Sequence, residues 1–267
     1  MNLKLKIGLG VGLFLVLGIL ALGVFTPDVL AQEKNCSFGQ EAAALYELQK
    51  NTEIGFSLKT DKELVLRREI LVKVVGCGID EANNLKVELS KVSSQDPNIK
   101  RLKERFTLEL DQAINYYKIN GAEINELNLL ESTALAKKFL DWRTNNYQYT
   151  SGGVINLITW IGNQNFFKVA ESRFDQVSKA VRFVSLNDPE SEIPSLIIES
   201  KLSLDGAKKL NDEAWQALKG YGPPGKALEL IKASLEKLSG MYEGFFKINE
   251  IITGVPEPKD PEVTSKE

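Results

Sequence analysis

The residues best suited to covalent chemistry in this chain of 267 amino acids are its two cysteines, Cys36 and Cys77. Disulfides persist in oxidising compartments, whereas thiols in the cytosol stay reduced. If the chain is exported, the two cysteines are expected to form a disulfide, and the alternative is a pair of buried free thiols. A bond that closes a loop of about 40 residues stabilises a protein by roughly 3–4 kcal/mol in chain-entropy terms. No metal site is predicted, because two thiols without a histidine rarely hold zinc.

The chain contains no histidine, and this removes several reaction mechanisms. Ser-His-Asp and Cys-His nucleophilic sites, histidine-ligated zinc and histidine acid–base catalysis all need an imidazole. An enzyme that uses only carboxylates, or a Ser-Lys pair, stays open. Glu109 with Asp111 and Asp212 with Glu213 are the candidate carboxylate pairs. Near neighbours on a helix do not face each other across a cleft, so we predict no catalytic residues and no cofactor.

Aromatic and amide side chains alternate between residues 142 and 167, around a stretch that contains two glycines. Flat rings stack and amides form hydrogen bonds, so such a segment suits contact with a sugar or a peptide. The candidate binding residues are Trp142, Tyr147, Tyr149 and Trp160. The alternative is that these rings belong to the hydrophobic core and that the amides only reflect an ordinary polar loop.

Composition describes an ordinary globular body, with 43% hydrophobic residues, 26% charged residues and a net charge of −3. No block of five basic residues occurs, so a nucleic acid is not an expected partner.

Helical periodicity dominates the chain and no strand pattern competes with it. We predict an all-α fold, an elongated antiparallel helical bundle over residues 32–254, with a subdivision near the polar linker at 187–194. The clearest loop of the middle region is predicted at residues 145–153. The proline-rich, charged tail at residues 255–267 is expected to be disordered.

Local signals set the expected helix ends in the first half of the bundle. Thr60 with Glu63 has the pattern of a capping box, which predicts a helix start. Gly76 and Gly78 predict the end of that helix, and Asp80 is expected to begin the next. Asp96 followed by Pro97 predicts the start of a further helix, because proline is preorganised for the first helical turn.

The last predicted helix, residues 225–252, has the most regular apolar pattern, with steps of three and four residues that are typical of a coiled-coil seam. The predicted seam residues are Leu228, Ile231, Leu235, Leu238, Tyr242 and Phe245. Packing within the chain is favoured over packing against another chain, because the pattern covers fewer than the three or four heptads that identify a coiled coil.

An uncharged apolar run covers residues 7–25 and follows Lys4 and Lys6. A run of about 20 apolar residues can cross a bilayer, and preceding lysines favour an N-terminus inside the cell. Residues 1–31 are therefore either a signal peptide cut between Ala31 and Gln32 or a single transmembrane helix that stays in the membrane. Both alternatives place the rest of the chain outside the cytoplasm.

These features favour a non-enzymatic envelope scaffold or adaptor that binds a protein partner through helix faces. The alternatives are an exported enzyme that acts on cell-wall or polysaccharide material with a carboxylate pair, and a carrier with a small-ligand pocket between helices.

Overall fold

The computed structural model of the protein describes residues 39–185, 191–220 and 222–254, and within these ranges the chain is all-α, without strands. The predicted fold class is thus confirmed as a helical bundle. A 3₁₀ turn covers Ile124–Glu126 and a π-helical turn covers Arg143–Tyr147. The α-helices are α1 (Gly39–Lys50), α2 (Phe56–Lys91), α3 (Pro97–Gly121), α4 (Leu129–Trp142), α5 (Gln148–Ser185), α6 (Ile193–Lys219) and α7 (Pro224–Thr253).

The predicted signal peptide or anchor, its cleavage point at Ala31 and Gln32, and the predicted disordered tail all lie outside the described residues. So does the first half of the predicted linker at 187–194, where the proposed subdivision stays a prediction. Among the helices that the structure describes, none combines the length and the hydropathy that crossing a bilayer requires.

The described chain divides into two compact units. The first unit comprises residues 39–159 together with Leu218–Gly225, and the second comprises Trp160–Ala217 together with residues 226–254.

In the first unit, α2 is one continuous helix, and the predicted break at Gly76 and Gly78 is wrong. Gly78 is buried, and a Cβ atom at this position would lie 2.5 Å from the ring of Tyr117 on α3. This glycine therefore serves close packing between antiparallel helices rather than a left-handed helix end. Asp80, predicted to begin a new helix, lies within α2.

The predicted capping box at the start of this helix is also wrong. The helix begins at Phe56, and the Thr60 hydroxyl donates a hydrogen bond back to the Phe56 carbonyl, 3.0 Å away. Glu63 forms an ion pair with Arg67 one turn later. Threonine inside a helix commonly bonds to the carbonyl four residues earlier, which removes it from the cap.

The start of α3 follows its sequence signal. Asp96 is the N-cap, its carboxylate accepts a hydrogen bond from the Asn98 amide at 2.7 Å, and Pro97 occupies the first helical position. The buried face of α3 recurs at three and four residues. It consists of Ile99, Leu102, Phe106, Leu110, Ala113, Ile114 and Tyr117.

The predicted loop at residues 145–153 is wrong, because the π-helical turn and the start of α5 occupy it. Its glycines serve packing within the first unit. A Cβ atom at Gly153 would lie 2.7 Å from the ring of Phe106, and one at Gly152 would lie 2.8 Å from Pro224.

In the second unit, α6 and α7 run antiparallel and approach closely at small residues. A Cβ at Gly244 would lie 2.2 Å from Ser200 Oγ, and Ser234 Oγ donates a hydrogen bond to the Ala207 carbonyl at 3.0 Å. The α6 helix begins at Ile193, inside the predicted linker at 187–194.

Of the six predicted seam residues of α7, three are buried, and a fourth, Tyr242, packs against the core of the second unit while partly exposed. Ile231, Leu238 and Phe245 are buried, whereas Leu228, Leu235 and Tyr242 are not fully covered. The intervening buried positions are Ala227, Ser234, Met241, Gly244 and Ile248. A search for large apolar residues misses part of this register, because three of the eight buried positions carry the small side chains Ala227, Ser234 and Gly244.

Candidate functional site

The candidate site is built around an aromatic cluster in the first unit, where α3, α4 and the π-helical turn meet. Two rings come from α3, two from α4 and one from the turn, and they are Tyr116, Tyr117, Phe139, Trp142 and Tyr147. A π-helical turn inserts an extra residue into a helix and often occurs at functional positions. Here it changes the rotation of the chain between α4 and α5, and so sets which side chains point inward.

Three of these rings form a stacked column. Tyr116 and Trp142 lie 4.0 Å apart at an interplanar angle of 9°, and Trp142 and Tyr147 lie 6.0 Å apart at 20°. The guanidinium of Arg143 covers the Tyr147 ring at 5.1 Å. Both tyrosines therefore lie nearly parallel to the indole, and Tyr116 is the closer of the two.

The inner end of the column carries a charge pair. Arg143 Nη1 lies 2.8 Å from the Glu81 carboxylate on α2. Burial by itself would lower the pKa of Arg143, but the hydrogen bond and charge of Glu81 together with those of Tyr117 raise it by more in sum, so the guanidinium stays charged. Burial raises the pKa of Tyr147, and the negative charge of Glu81 raises it further. Burial also raises the pKa of Tyr117, although the hydrogen bond and the charge of Arg143 act in the opposite direction.

The outer end of the column opens into a depression of about 460 Å³ on the protein surface, here called the Trp142 depression. It is bounded by α3 on one side and by α4 and the π-helical turn on the other. Its lining residues are Tyr116, Ala134, Lys137, Lys138, Asp141, Trp142, Asn145 and Asn146.

Part of this lining is held by hydrogen bonds. Lys138 Nζ donates to Asn120 Oδ1 at 2.6 Å, and Asn120 Nδ2 donates to the Tyr116 carbonyl at 2.8 Å. Asn146 Nδ2 donates to the Trp142 carbonyl at 3.3 Å. The wall formed by Tyr116 and Lys138, and the end formed by Asn146, are thus positioned before any ligand binds.

Three polar side chains on the rim form no ion pair or side-chain hydrogen bond within the part of the chain that the structure describes. They are Lys137, Asp141 and Asn145, and all three are exposed. They follow one another at intervals of four residues, so they form a line along one side of α4 and its continuation. The rim therefore presents a cation, an anion and an amide to an incoming group.

The four aromatic residues predicted as a binding surface do not come together. Trp142 lines the depression, Tyr147 is 1% exposed beneath it, and Tyr149 is 54% exposed on α5. Trp160 belongs to the second unit, where its indole donates to the Asn211 carbonyl at 2.9 Å and stacks on Trp215.

Tyr116, Lys137 and Lys138 were absent from the sequence prediction. Tyr116 comes from α3, more than twenty residues before Trp142, and nothing in its local pattern marks it. The two lysines resemble any solvated helix face, and only their place beside the stacked rings distinguishes them.

The remaining candidate residues lie elsewhere. Cys77 is half-buried on α2, and because Cys36 lies outside the described residues, the disulfide stays a prediction. Glu109 contacts Arg105 and Thr150, while Asp111 pairs with Lys86.

Two further features concern other kinds of site. Asp212 and Glu213 are exposed neighbours on α6. Across the described ranges, no three His, Cys, Asp or Glu side chains are grouped closely enough to hold a metal ion. A second depression, also about 460 Å³, lies between α1 and α2 and has no aromatic lining.

No protein-family model, curated protein or solved structure matches this chain.

Proposed function

We propose that this protein is a non-enzymatic adaptor of the cell envelope that binds a protein partner through the Trp142 depression. The observation that carries the proposal is the combination of stacked, half-buried rings with a rim of unpaired polar groups. Binding surfaces favour aromatic anchors surrounded by polar groups, because rings contribute contact area at a small cost in side-chain entropy.

Rigidity of the wall supports this assignment. Tyr116 is packed against Trp142 and belongs to a helix whose end is tied to α4 through Asn120 and Lys138. A surface that is ordered before binding loses less conformational entropy when a partner docks.

The carboxylate-pair enzyme receives less support from the same region. In acid–base catalysis two carboxyl groups must face each other across a substrate. Asp141 is the only acidic residue that lines the Trp142 depression. The carrier alternative also lacks support, since this depression is open to solvent, whereas carrier pockets enclose most of the ligand surface.

The envelope location is part of the proposal. It rests on the apolar run at residues 7–25, on the lysines before it and on the two cysteines of the exported part.

Site-specific photo-crosslinking tests the proposal. Asn145, on the rim, is replaced by a benzophenone amino acid in the source cells, and Glu213, exposed on α6, receives the same replacement as the control. We expect a discrete crosslinked protein band from position 145 alone. The absence of any crosslinked protein at position 145, or an identical band from position 213, would contradict partner binding at this site.

A further inference from the structure

From the rim and wall of the Trp142 depression we infer that its occupant is an extended, acidic peptide segment of the partner, bound through its backbone and one apolar side chain. This inference rests on the proposed function and specifies the chemistry of the partner.

The first support is the spacing of the rim groups. Lys137 and Asp141 are one helical step of four residues apart, which is a rise of about 6 Å along α4. An extended peptide repeats every two residues, or roughly 6.6–6.8 Å. A strand-like segment that lies along the helix therefore brings every second residue close to one rim group, and Asn145 continues the series into the π-helical turn.

The second support is the hydrogen-bonding capacity of each rim group. The ammonium of Lys137 only donates, so it suits a carboxylate or a carbonyl. The carboxylate of Asp141 only accepts, so it suits a backbone N–H. The amide of Asn145 both donates and accepts, so it suits a whole peptide group. This set of groups is complementary to a polypeptide backbone that carries an acidic side chain.

The third support is charge. The depression is lined by two lysines and one aspartate, so its net charge is positive although the whole chain carries a net charge of −3. Opposite charge on the partner segment steers its approach and excludes basic segments.

The geometry of the rings argues against a sugar. Sugars bind to an open aromatic face, whereas the Trp142 ring is stacked on Tyr116 at 4.0 Å and lies nearly parallel to Tyr147 at 6.0 Å. The half-buried indole lines the depression beside Tyr116, and this apolar area suits contact with an apolar side chain.

Three terminally blocked, fluorescently labelled peptides test the inference on the purified full-length protein by fluorescence anisotropy. Each has the sequence Gly-X-Gly-Phe-Gly, where X is glutamate, glutamine or lysine, so that a single charged side chain and the apolar ring lie on the same face of the extended peptide. We expect the glutamate peptide to bind at least about tenfold more tightly than the lysine peptide, because one favourable charge contact replaces one repulsive contact.

Two variants locate the effect. Lys137→Glu, at the exposed rim, is expected to reverse the order of the glutamate and lysine peptides without affecting folding. Lys232→Glu, which makes the same charge change at an exposed position on α7, should leave the order unchanged.

The outcomes separate this inference from the proposed function. Equal binding of all three peptides, no binding of any, or an unreversed order in Lys137→Glu would overturn the acidic-peptide inference. Binding of a linear oligosaccharide probe that the glutamate peptide displaces would overturn it as well. The adaptor function itself is decided by the crosslink at position 145, which does not depend on the charge of the partner.

Discussion

At the scale of single residues, Tyr147 shows why a pattern of aromatic and amide residues does not identify a surface. Its sequence neighbourhood resembles that of Trp142, yet Tyr147 is 1% exposed and its ring supports the indole from beneath. The phenol group is enclosed by α2, α3 and the π-helical turn, close to Glu81 and Arg143. Burial of this kind can be tested by titration.

Alkaline pH should destabilise the protein through Tyr147. Burial raises the pKa of this phenol, whereas an unfolded tyrosine ionises near pH 10. Stability from this group is therefore complete below about pH 10 and falls by up to about 1.4 kcal/mol per pH unit above it. Urea unfolding between pH 9 and 11.5 should show that decline, and Tyr147→Phe should make it shallower.

The control for this measurement is Tyr149→Phe. The Tyr149 side chain is 54% exposed, so its removal should leave the pH dependence of the unfolding free energy as in the wild type. An unchanged slope in Tyr147→Phe would mean that the phenol is in water in the folded state, contrary to the structure.

At the scale of secondary-structure elements, the largest difference between the prediction and the structure concerns the two glycines of α2, Gly76 and Gly78. Glycine near an apolar face predicts a helix end, because it adopts left-handed conformations easily. In α2 both glycines stay helical. At Gly78 the antiparallel neighbour α3 favours the helical state, because it places the Tyr117 ring against this glycine. Each helical glycine costs about 1 kcal/mol relative to alanine, and at Gly78 the packing of Tyr117 offsets that cost.

Two alanine substitutions in α2 should have opposite effects on stability. Gly78→Ala forces a Cβ to within 2.5 Å of the Tyr117 ring, so we expect the unfolding free energy to fall by about 1–3 kcal/mol. Gly76→Ala has no neighbour within 4 Å, so improved helix propensity should raise it by up to about 1 kcal/mol. Urea denaturation of both variants at pH 7 measures the difference.

This pair of variants also tests the continuity of α2. If the helix ended at these glycines, as the sequence pattern predicts, alanine at either position would be unfavourable. Stabilisation by Gly76→Ala together with destabilisation by Gly78→Ala is expected only for an unbroken helix packed on α3.

At the scale of the whole molecule, the predicted disulfide connects the compartment of the protein with its stability. Cys36 and Cys77 lie far apart in sequence, and a bond between them would tie the start of the exported part to the middle of α2. Such a bond forms only outside the reducing cytosol, so its presence in protein from the source cells also reports export.

Replacement of either cysteine should have the same effect. Cys36→Ser and Cys77→Ser each break the same bond, so each should lower the unfolding free energy by about 3–4 kcal/mol relative to the oxidised wild type. Chemical denaturation with and without reductant measures this loss. Complete alkylation of both cysteines in unreduced, denatured protein from the source cells would contradict both the bond and the proposed location.

The amino-acid sequence by itself determined the all-α class and the start of α3. Helical periodicity is a property of the spacing of apolar residues, and the bonds at Asp96 and Pro97 are made within one helical turn. Local interactions of this kind need no partner from elsewhere in the chain, so the sequence pattern was sufficient.

Only the tertiary structure decided the continuity of α2, the helical state of residues 145–153 and the composition of the Trp142 depression. Gly78 stays helical because Tyr117 packs on it, and Trp142 becomes part of a site because Tyr116 stacks on it. Each of these contacts joins residues that are about 25 to 40 positions apart. A local pattern carries no information on such pairs, because the free energy that fixes them arises only when separate helices bury their faces against one another.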